Sequence, residues 1–480
     1  MIARIRALEA VARRLEPDAA ARRALSEPVT AYAEGFLESL SSGPTYVKTA
    51  DSGAGLYDAP IGEGPSDIHA LLGLLAEHVD RPGINPASGG HLGYIPGGGL
   101  YPSALGDFLA DVTNRYAGVF FANPGAVRME HMLTRWMASV VGFPETAAGN
   151  LTSGGSIANL IGVVTAREAL GIRARDIPTA AIYLTAHVHH SIDKAIRIAG
   201  LGECVIRHVP MDARHRMDAD ALNRAIIADR ESGLRPFLVI ASAGTTDVGA
   251  VDPLTSIADI AARHGLWCHV DGAYGAFFAL CDEGRAALRG MDRADSLVMD
   301  PHKTLFLPYG SGAVLVKNPR SMQDAHFYTA NYMQDAATAR DEVSPADLSP
   351  ELTKHFRGLR LWLPLKLFGV APFRAALAEK MWLARYFRER LLERPGFAVG
   401  PEPDLSVVTF RYVPERGHAD AFNRRLVQAI HDDGRVFLSS SMIDGVYTIR
   451  LACVVFRTHL DTIDLTLRIL DEKVAALRSA

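Results

Sequence analysis

Cysteine is scarce: Cys204, Cys268, Cys281 and Cys453 are the only four in 480 residues, with no C-x-x-C pair and no metal-ligand spacing. That scarcity excludes a disulfide framework and argues against a zinc centre, so four reduced, mostly buried thiols in a cytoplasmic protein are expected. An excess of one charge is also lacking, since 50 Lys and Arg stand against 54 Asp and Glu for a net charge of -4. Nucleic acid and anionic membrane surfaces are therefore not expected partners. No stretch reaches the roughly 18 uninterrupted apolar residues that a membrane span needs. The start, Met1-Ile-Ala-Arg-Ile-Arg-Ala-Leu8, is basic, but Glu9, Glu16 and Asp18 follow it. Without a continuous apolar segment it reads as an amphipathic helix, not a targeting signal. There is no internal repeat and no low-complexity tract. What these absences leave is a globular chain with a small-molecule ligand, long enough for more than one core.

Residues 1–90 read as a helical N-terminal segment, broken by the Gly/Ser/Pro-rich stretch from Ser41 to Pro65. A glycine-dense run, Pro86-Ala-Ser-Gly-Gly-His-Leu-Gly-Tyr-Ile-Pro-Gly-Gly-Gly99, allows a backbone to approach a ligand or another chain. Residues 91–350 read as a large α/β domain. In it, strand-length apolar runs (Ala181–Thr185, Phe237–Ser242, Leu266–Val270, Ser296–Met299, Ala313–Val316) alternate with helical patterns, which predicts a mostly parallel central sheet. Residues 351–480 read as a smaller α+β domain, with strands at Ser406–Phe410 and Tyr447–Ala452.

The chemistry-bearing motifs sit at the ends of those runs. Lys303, in Asp300-Pro-His-Lys303, follows one strand, and Asp271 ends Trp267-Cys-His-Val-Asp271 thirty-two residues earlier. In open α/β sheets ligands bind at the carboxyl ends of strands. A lysine in apolar surroundings loses its proton readily and forms a Schiff base with an aldehyde. A carboxylate facing a pyridine nitrogen keeps that nitrogen protonated and its ring electron-poor. The pair thus points to pyridoxal phosphate, although a surface lysine and a capping aspartate would look the same singly. Thr152-Ser-Gly-Gly-Ser156 opens a helical run, where exposed amides and the helix dipole suit a phosphate. An imidazole from Thr185-Ala-His-Val-His-His-Ser191 is suited to lie on a flat ring or to move a proton. These histidines lack carboxylate or cysteine partners at recognisable spacing, so no metal is expected. The hydroxyls of Ser242-Ala-Gly-Thr-Thr246 are candidates to bond the cofactor or to fix Asp271, and small residues such as Ala273 let a ring lie close to the sheet.

Taken in order, T-S-G-G-S, H-H-S-I-D-K-A, A-S-A-G-T-T, H-V-D-G-A-Y-G and D-P-H-K resemble the group II pyridoxal phosphate-dependent decarboxylases, which act on aromatic amino acids, histidine or glutamate. The likeness covers roughly residues 80 to 370. It implies a fold type I homodimer with sites at the subunit interface. It also implies that Lys303 carries the cofactor, Asp271 pairs with the pyridinium nitrogen and His189 stacks on the ring. Gly154, Gly155, Ser156 and His302 would hold the phosphate, Thr246 and Ala273 would line the ring, and Tyr94, Pro96, Phe120 and Phe121 would shape the substrate pocket.

The sequence departs from the family pattern at three points. Ile157 stands where a glutamate is frequent, and Asp300 where an asparagine is frequent; a carboxylate near a phosphate is unfavourable unless turned away or hydrogen-bonded. The stretch Ala339–Pro350, before His355-Phe-Arg-Gly-Leu-Arg-Leu-Trp362, lacks the tyrosine that protonates the α-carbon in aromatic decarboxylases, and Tyr328 and Tyr332 lie upstream of it. The expected reaction is α-decarboxylation of an L-amino acid, aromatic in preference to acidic. The competing readings are a carbon–carbon lyase of the sphingosine phosphate lyase type, an oxidative aldehyde synthase, and a pyridoxal phosphate-binding protein without turnover.

Overall fold

The computed structural model describes residues 1–328 and 342–479. Seven strands form the central sheet: β1 (Ala148–Thr152), β2 (Ala180–Leu184), β3 (Val205–His208), β4 (Arg235–Ser242), β5 (Trp267–Asp271), β6 (Ser296–Met299) and β7 (Gly312–Val316). Their spatial order is β1-β7-β6-β5-β4-β2-β3. Five neighbours run parallel, while β7 is antiparallel to both β1 and β6. The inner parallel strands β2, β4, β5 and β6 are buried on both faces, which is why they read as continuous apolar runs, while the edge strand β3 is partly exposed. Helices Gly155–Ala169 and Ser191–Ile198 cover one face, and helices Pro124–Val140, Ala219–Glu231 and Leu254–His264 the other.

A second sheet, antiparallel throughout, has the order β8-β9-β11-β10, with β8 Phe397–Val399, β9 Val407–Tyr412, β10 Ser439–Ile443 and β11 Val446–Ala452. Helices Ala371–Leu392, Ala419–Asp433 and Leu460–Ser479 share a separate apolar cluster with it. The glycine-dense run threads between the two sheets. A Cβ on Gly93 would meet the Phe437 ring at 2.7 Å, and one on Gly97 would meet the Lys303 carbonyl oxygen at 2.7 Å. Those glycines are what let the strap lie against the backbone of the key lysine.

The N-terminal helices, Ile2–Ala12, Ala19–Ser39 and Ile68–Leu75, bury none of their side chains within the chain. Ile2, Ile5, Leu8 and Val11 recur at helical spacing on the first of them and are all exposed. Among the described residues no single helix is long and apolar enough to cross a membrane. The pair Gly358–Phe368 and Ala371–Leu392 passes by length and composition together, but it bends by 94° and buries Arg360, Leu361 and Lys380 in the protein.

Candidate active site

The carboxyl ends of β4, β5 and β6 open into one cavity of about 440 Å³. Its lining includes Gly154, Gly155, Ser156, Asn159, His189, Thr246, Asp271, Ala273, His302 and Lys303, drawn from segments far apart in sequence. The sheet register aligns Ser242, Asp271 and Val298 side by side, so the Asp271 carboxyl lies at the rim where the chain leaves the sheet. Pro301 at the first position of the helix Pro301–Thr304 turns the chain immediately after β6 and brings Lys303 to the same rim. On the opposite side β1 leads into Gly154 and Gly155 and then the helix Gly155–Ala169, whose amino end faces the cavity beside Ser156. A Cβ on Gly155 would lie 2.9 Å from Asp300 Oδ2 and 3.2 Å from the Ala273 Cβ, so only glycine fits there.

Asp271 is 9% exposed. Its Oδ1 accepts from the Ala273 backbone amide at 3.1 Å and its Oδ2 from the Asn159 amide at 3.0 Å. Of the two roles open to the hydroxyls of Ser242–Thr246, fixing Asp271 is not theirs, since none of them bonds it. Asn159, one helical turn beyond Ser156, does that work. Neither Asn159 nor its partner Ser191 was singled out from sequence. Both are buried polar residues on helix faces that otherwise pack against the sheet, and the only signal for Asn159 was its spacing from Ser156.

The expectation of an easily deprotonated lysine is reversed. Burial pushes the Lys303 ammonium down, but the carboxylates of Asp300 and then Asp271 outweigh it and hold its pKa above the ordinary lysine value. Lys303 Nζ is 3.0 Å from Asp300 Oδ2, and Asp300 is 1% exposed. The departure at Asp300 therefore has a consequence: its carboxylate is turned to the lysine, with His302 Nε2 farther off at 3.8 Å. Burial pushes the imidazoles of both His189 and His302 below the ordinary histidine value.

Tyr94, Pro96, Phe120 and Phe121 are not among the residues lining this cavity within one chain. Tyr94 and Phe121 are more than half exposed, whereas Phe120 is packed beneath Arg128 and Pro96 is buried in the strap. Tyr328 is 85% exposed, and Tyr332 lies outside the described residues.

Two buried histidines make stability depend on pH. His269, under the helix Gly155–Ala169, and His91, in the strap, are held neutral by burial down to about pH 4. In the unfolded chain they take up protons near pH 6.5. Stability is thus complete above about pH 6.5 and falls as pH drops toward 4, by up to about 3 kcal/mol per histidine. Urea unfolding at pH 7.5 and 4.5 is expected to show the loss, and His91→Phe to reduce it. An equal pH dependence in His91→Phe would contradict this assignment.

The residues present suit pyridoxal phosphate: an amine and a carboxyl reach one cavity from adjacent strands, and a glycine cradle at a helix amino end suits its phosphate. The profile described as pyridoxal-dependent decarboxylase conserved domain matches residues 77–413. An aromatic-L-amino-acid decarboxylase of Bacillus atrophaeus is 36% identical over 410 residues, covering 83% of this chain and 84% of the relative. A phenylacetaldehyde synthase of Petunia hybrida is 28% identical over 381 residues, or 75% of each chain. The crystal structure of Oryza sativa TDC with PLP and tryptamine superposes with a TM-score of 0.90 at 24% identity, covering 96% of this chain and 99% of that one, and so shares the fold. This chain belongs to the pyridoxal-dependent decarboxylase family, and is a lyase that uses pyridoxal phosphate.

Proposed function

We propose that this chain decarboxylates an aromatic L-amino acid to the amine and carbon dioxide, working as a cytoplasmic homodimer. The observation that carries the reading is the meeting of Lys303, Asp271 and His189 in one cavity beyond the carboxyl ends of β6, β5 and β2. The aromatic preference is supported by the Bacillus atrophaeus relative. Four unpaired, buried cysteines suit the cytoplasm. Exposed apolar residues on the first helix and on the helix Tyr101–Thr113 support a dimer, because a lone chain would leave Ile2, Ile5, Leu8, Val11, Phe108 and Val112 in water. In such a dimer the exposed Tyr94 and Phe121 would be available to the partner's cavity, which accounts for their distance from their own.

Bound pyridoxal phosphate supplies an electron-poor ring that takes up the electrons left when carbon dioxide departs. The chain's residues hold and orient. Lys303 Nζ is the amine that holds the cofactor. The Asp271 carboxyl would face the pyridine nitrogen and favour a proton there. Gly154, Gly155, Ser156 and His302 would hold the phosphate at the helix amino end, while Thr246 and Ala273 would border the ring and His189 would cover it. The pocket would choose the reaction by how it orients the substrate carboxylate against that ring.

A second reading, oxidative release of an aldehyde, is favoured by the absence of any tyrosine from residue 333 to 357. Incubating the protein and pyridoxal phosphate with phenylalanine, tyrosine, tryptophan and the other amino acids separates the two. Amine and carbon dioxide in equal amounts, without hydrogen peroxide, are expected. Aldehyde, ammonia and peroxide would establish the second reading, and no carbon dioxide from any amino acid would refute both.

A further inference from the structure

Trp267, His269 and Asp271 alternate along β5 and so share one face of the sheet, beneath the helix Gly155–Ala169. Between them runs an unbroken chain of hydrogen bonds whose direction is fixed at one end, because an indole N–H can only donate. Trp267 Nε1 donates to Ser296 Oγ at 2.8 Å, and the Ser296 hydroxyl, whose proton has no other acceptor among the described residues, donates to His269 Nδ1 at 2.7 Å. The His269 proton then sits on Nε2 and is given to Asn159 Oδ1 at 2.9 Å. This fixes the Asn159 amide with Nδ2 toward Asp271 Oδ2 at 3.0 Å and Ser191 Oγ at 3.1 Å. Ser191, having accepted there, donates its hydroxyl proton to His189 Nδ1 at 2.8 Å, and its backbone amide approaches the same nitrogen at 3.2 Å. The ring proton of His189 is thereby left to Nε2, the nitrogen that no described residue engages.

Every step lies in the interior: His269 and Ser296 are fully buried, and Asn159 and Ser191 nearly so. The helix above makes room for the relay at Gly162, where a Cβ would collide with the His269 imidazole. Turning the Asn159 amide over would set its oxygen against the Asp271 carboxylate and leave two buried N–H groups facing one another, a costly arrangement in the interior.

We propose that Asn159, oriented by His269 and acting through Ser191, is a positioning residue that sets both groups facing the ring at once: it aims the Asp271 carboxylate and holds His189 as the neutral Nε2–H tautomer. The inference deepens the decarboxylase reading and rests on it for its purpose. An N–H at Nε2 offers the substrate carboxylate a donor, whereas a lone pair there would repel it. Depression of the His189 proton affinity by burial acts in the same direction.

The test uses the full chain labelled with nitrogen-15 histidine, with and without pyridoxal phosphate, the His189 signals being identified by their loss in His189→Gln. The wild-type protein at pH 7.5 is expected to show His189 as a single Nε2–H tautomer. Ser191→Ala and His269→Leu should give mixed tautomers, and His269→Gln, which restores a donor to Asn159, should return the single one. In Ser191→Ala the acid limb of kcat/KM should rise by about one pH unit, a tenfold gain in proton affinity on losing one hydroxyl donor. Gly162→Ala, which presses on His269 without removing a hydrogen-bonding group, guards against a variant that fails to fold, and it too should mix the tautomers. An Nδ1–H or doubly protonated His189 in the wild type, or wild-type tautomers in Ser191→Ala, His269→Leu and Gly162→Ala, would overturn the proposal. The tautomer is read without turnover, so absence of an amine product alongside an intact Nε2–H signal would count against the decarboxylase reading alone.

Discussion

Lys303→Ala is expected to lower amine formation by at least about a thousandfold, the order seen when a residue of a catalytic unit is removed. No other lysine lines the cavity, so among the described residues there is no second primary amine to hold the cofactor. The substitution has a structural side effect, because Asp300 is buried and Lys303 is its cation at 3.0 Å. Removing one partner of a fully buried pair costs about 3 to 5 kcal/mol, less where the lysine side chain is 22% exposed as here, and a thermal shift is expected alongside the lost activity. Lys303→Arg separates the two effects. The guanidinium stays charged and can answer Asp300, but it does not lose its proton to act as a nucleophile. Lys303→Arg is therefore expected to be nearly as stable as the wild type and as inactive as the alanine variant. Activity within tenfold of wild type in both variants, measured with the same amino acid, would show that the lysine has been misassigned.

Asp271→Asn is expected to lower kcat by about 10² to 10³, the scale of removing one preorganised electrostatic group from a catalytic site. The change keeps the shape and removes the charge. It also replaces one acceptor oxygen with an NH2 group, while both native contacts, from Asn159 and from the Ala273 amide, are donors. One of the two must then face a donor, so weaker pyridoxal phosphate binding should accompany the fall in kcat. Equilibrium dialysis of the cofactor against wild type and variant checks this directly. Unchanged kcat and unchanged cofactor affinity would mean that Asp271 does not face the ring.

Much of this site was legible because its residues end strands. H-V-D and D-P-H-K follow short apolar runs, and the parallel sheet carries their side chains to one rim whatever lies between them in sequence. What stayed hidden depends on partners from distant segments. Asn159 reads as one polar residue in an apolar helix until β5 places His269 and Asp271 beneath it. The raised proton affinity of Lys303 required knowing that Asp300 turns toward it; burial alone predicts the opposite sign. Strands such as β1, A-G-N-L-T, and β10, S-S-S-M-I, carry too little apolar pattern to be read without their neighbours in the sheet. Tyr94, Pro96, Phe120 and Phe121 were named for a pocket that one chain does not form with them.

The central claim is that Lys303 is the residue that holds pyridoxal phosphate. Treating the loaded protein with borohydride makes that bond permanent, and mass mapping of a digest then finds the modified lysine. The account predicts the pyridoxyl group on the peptide containing Lys303 and on no other. A label on Lys317, Lys354 or Lys380, with Lys303 unmodified, would contradict it.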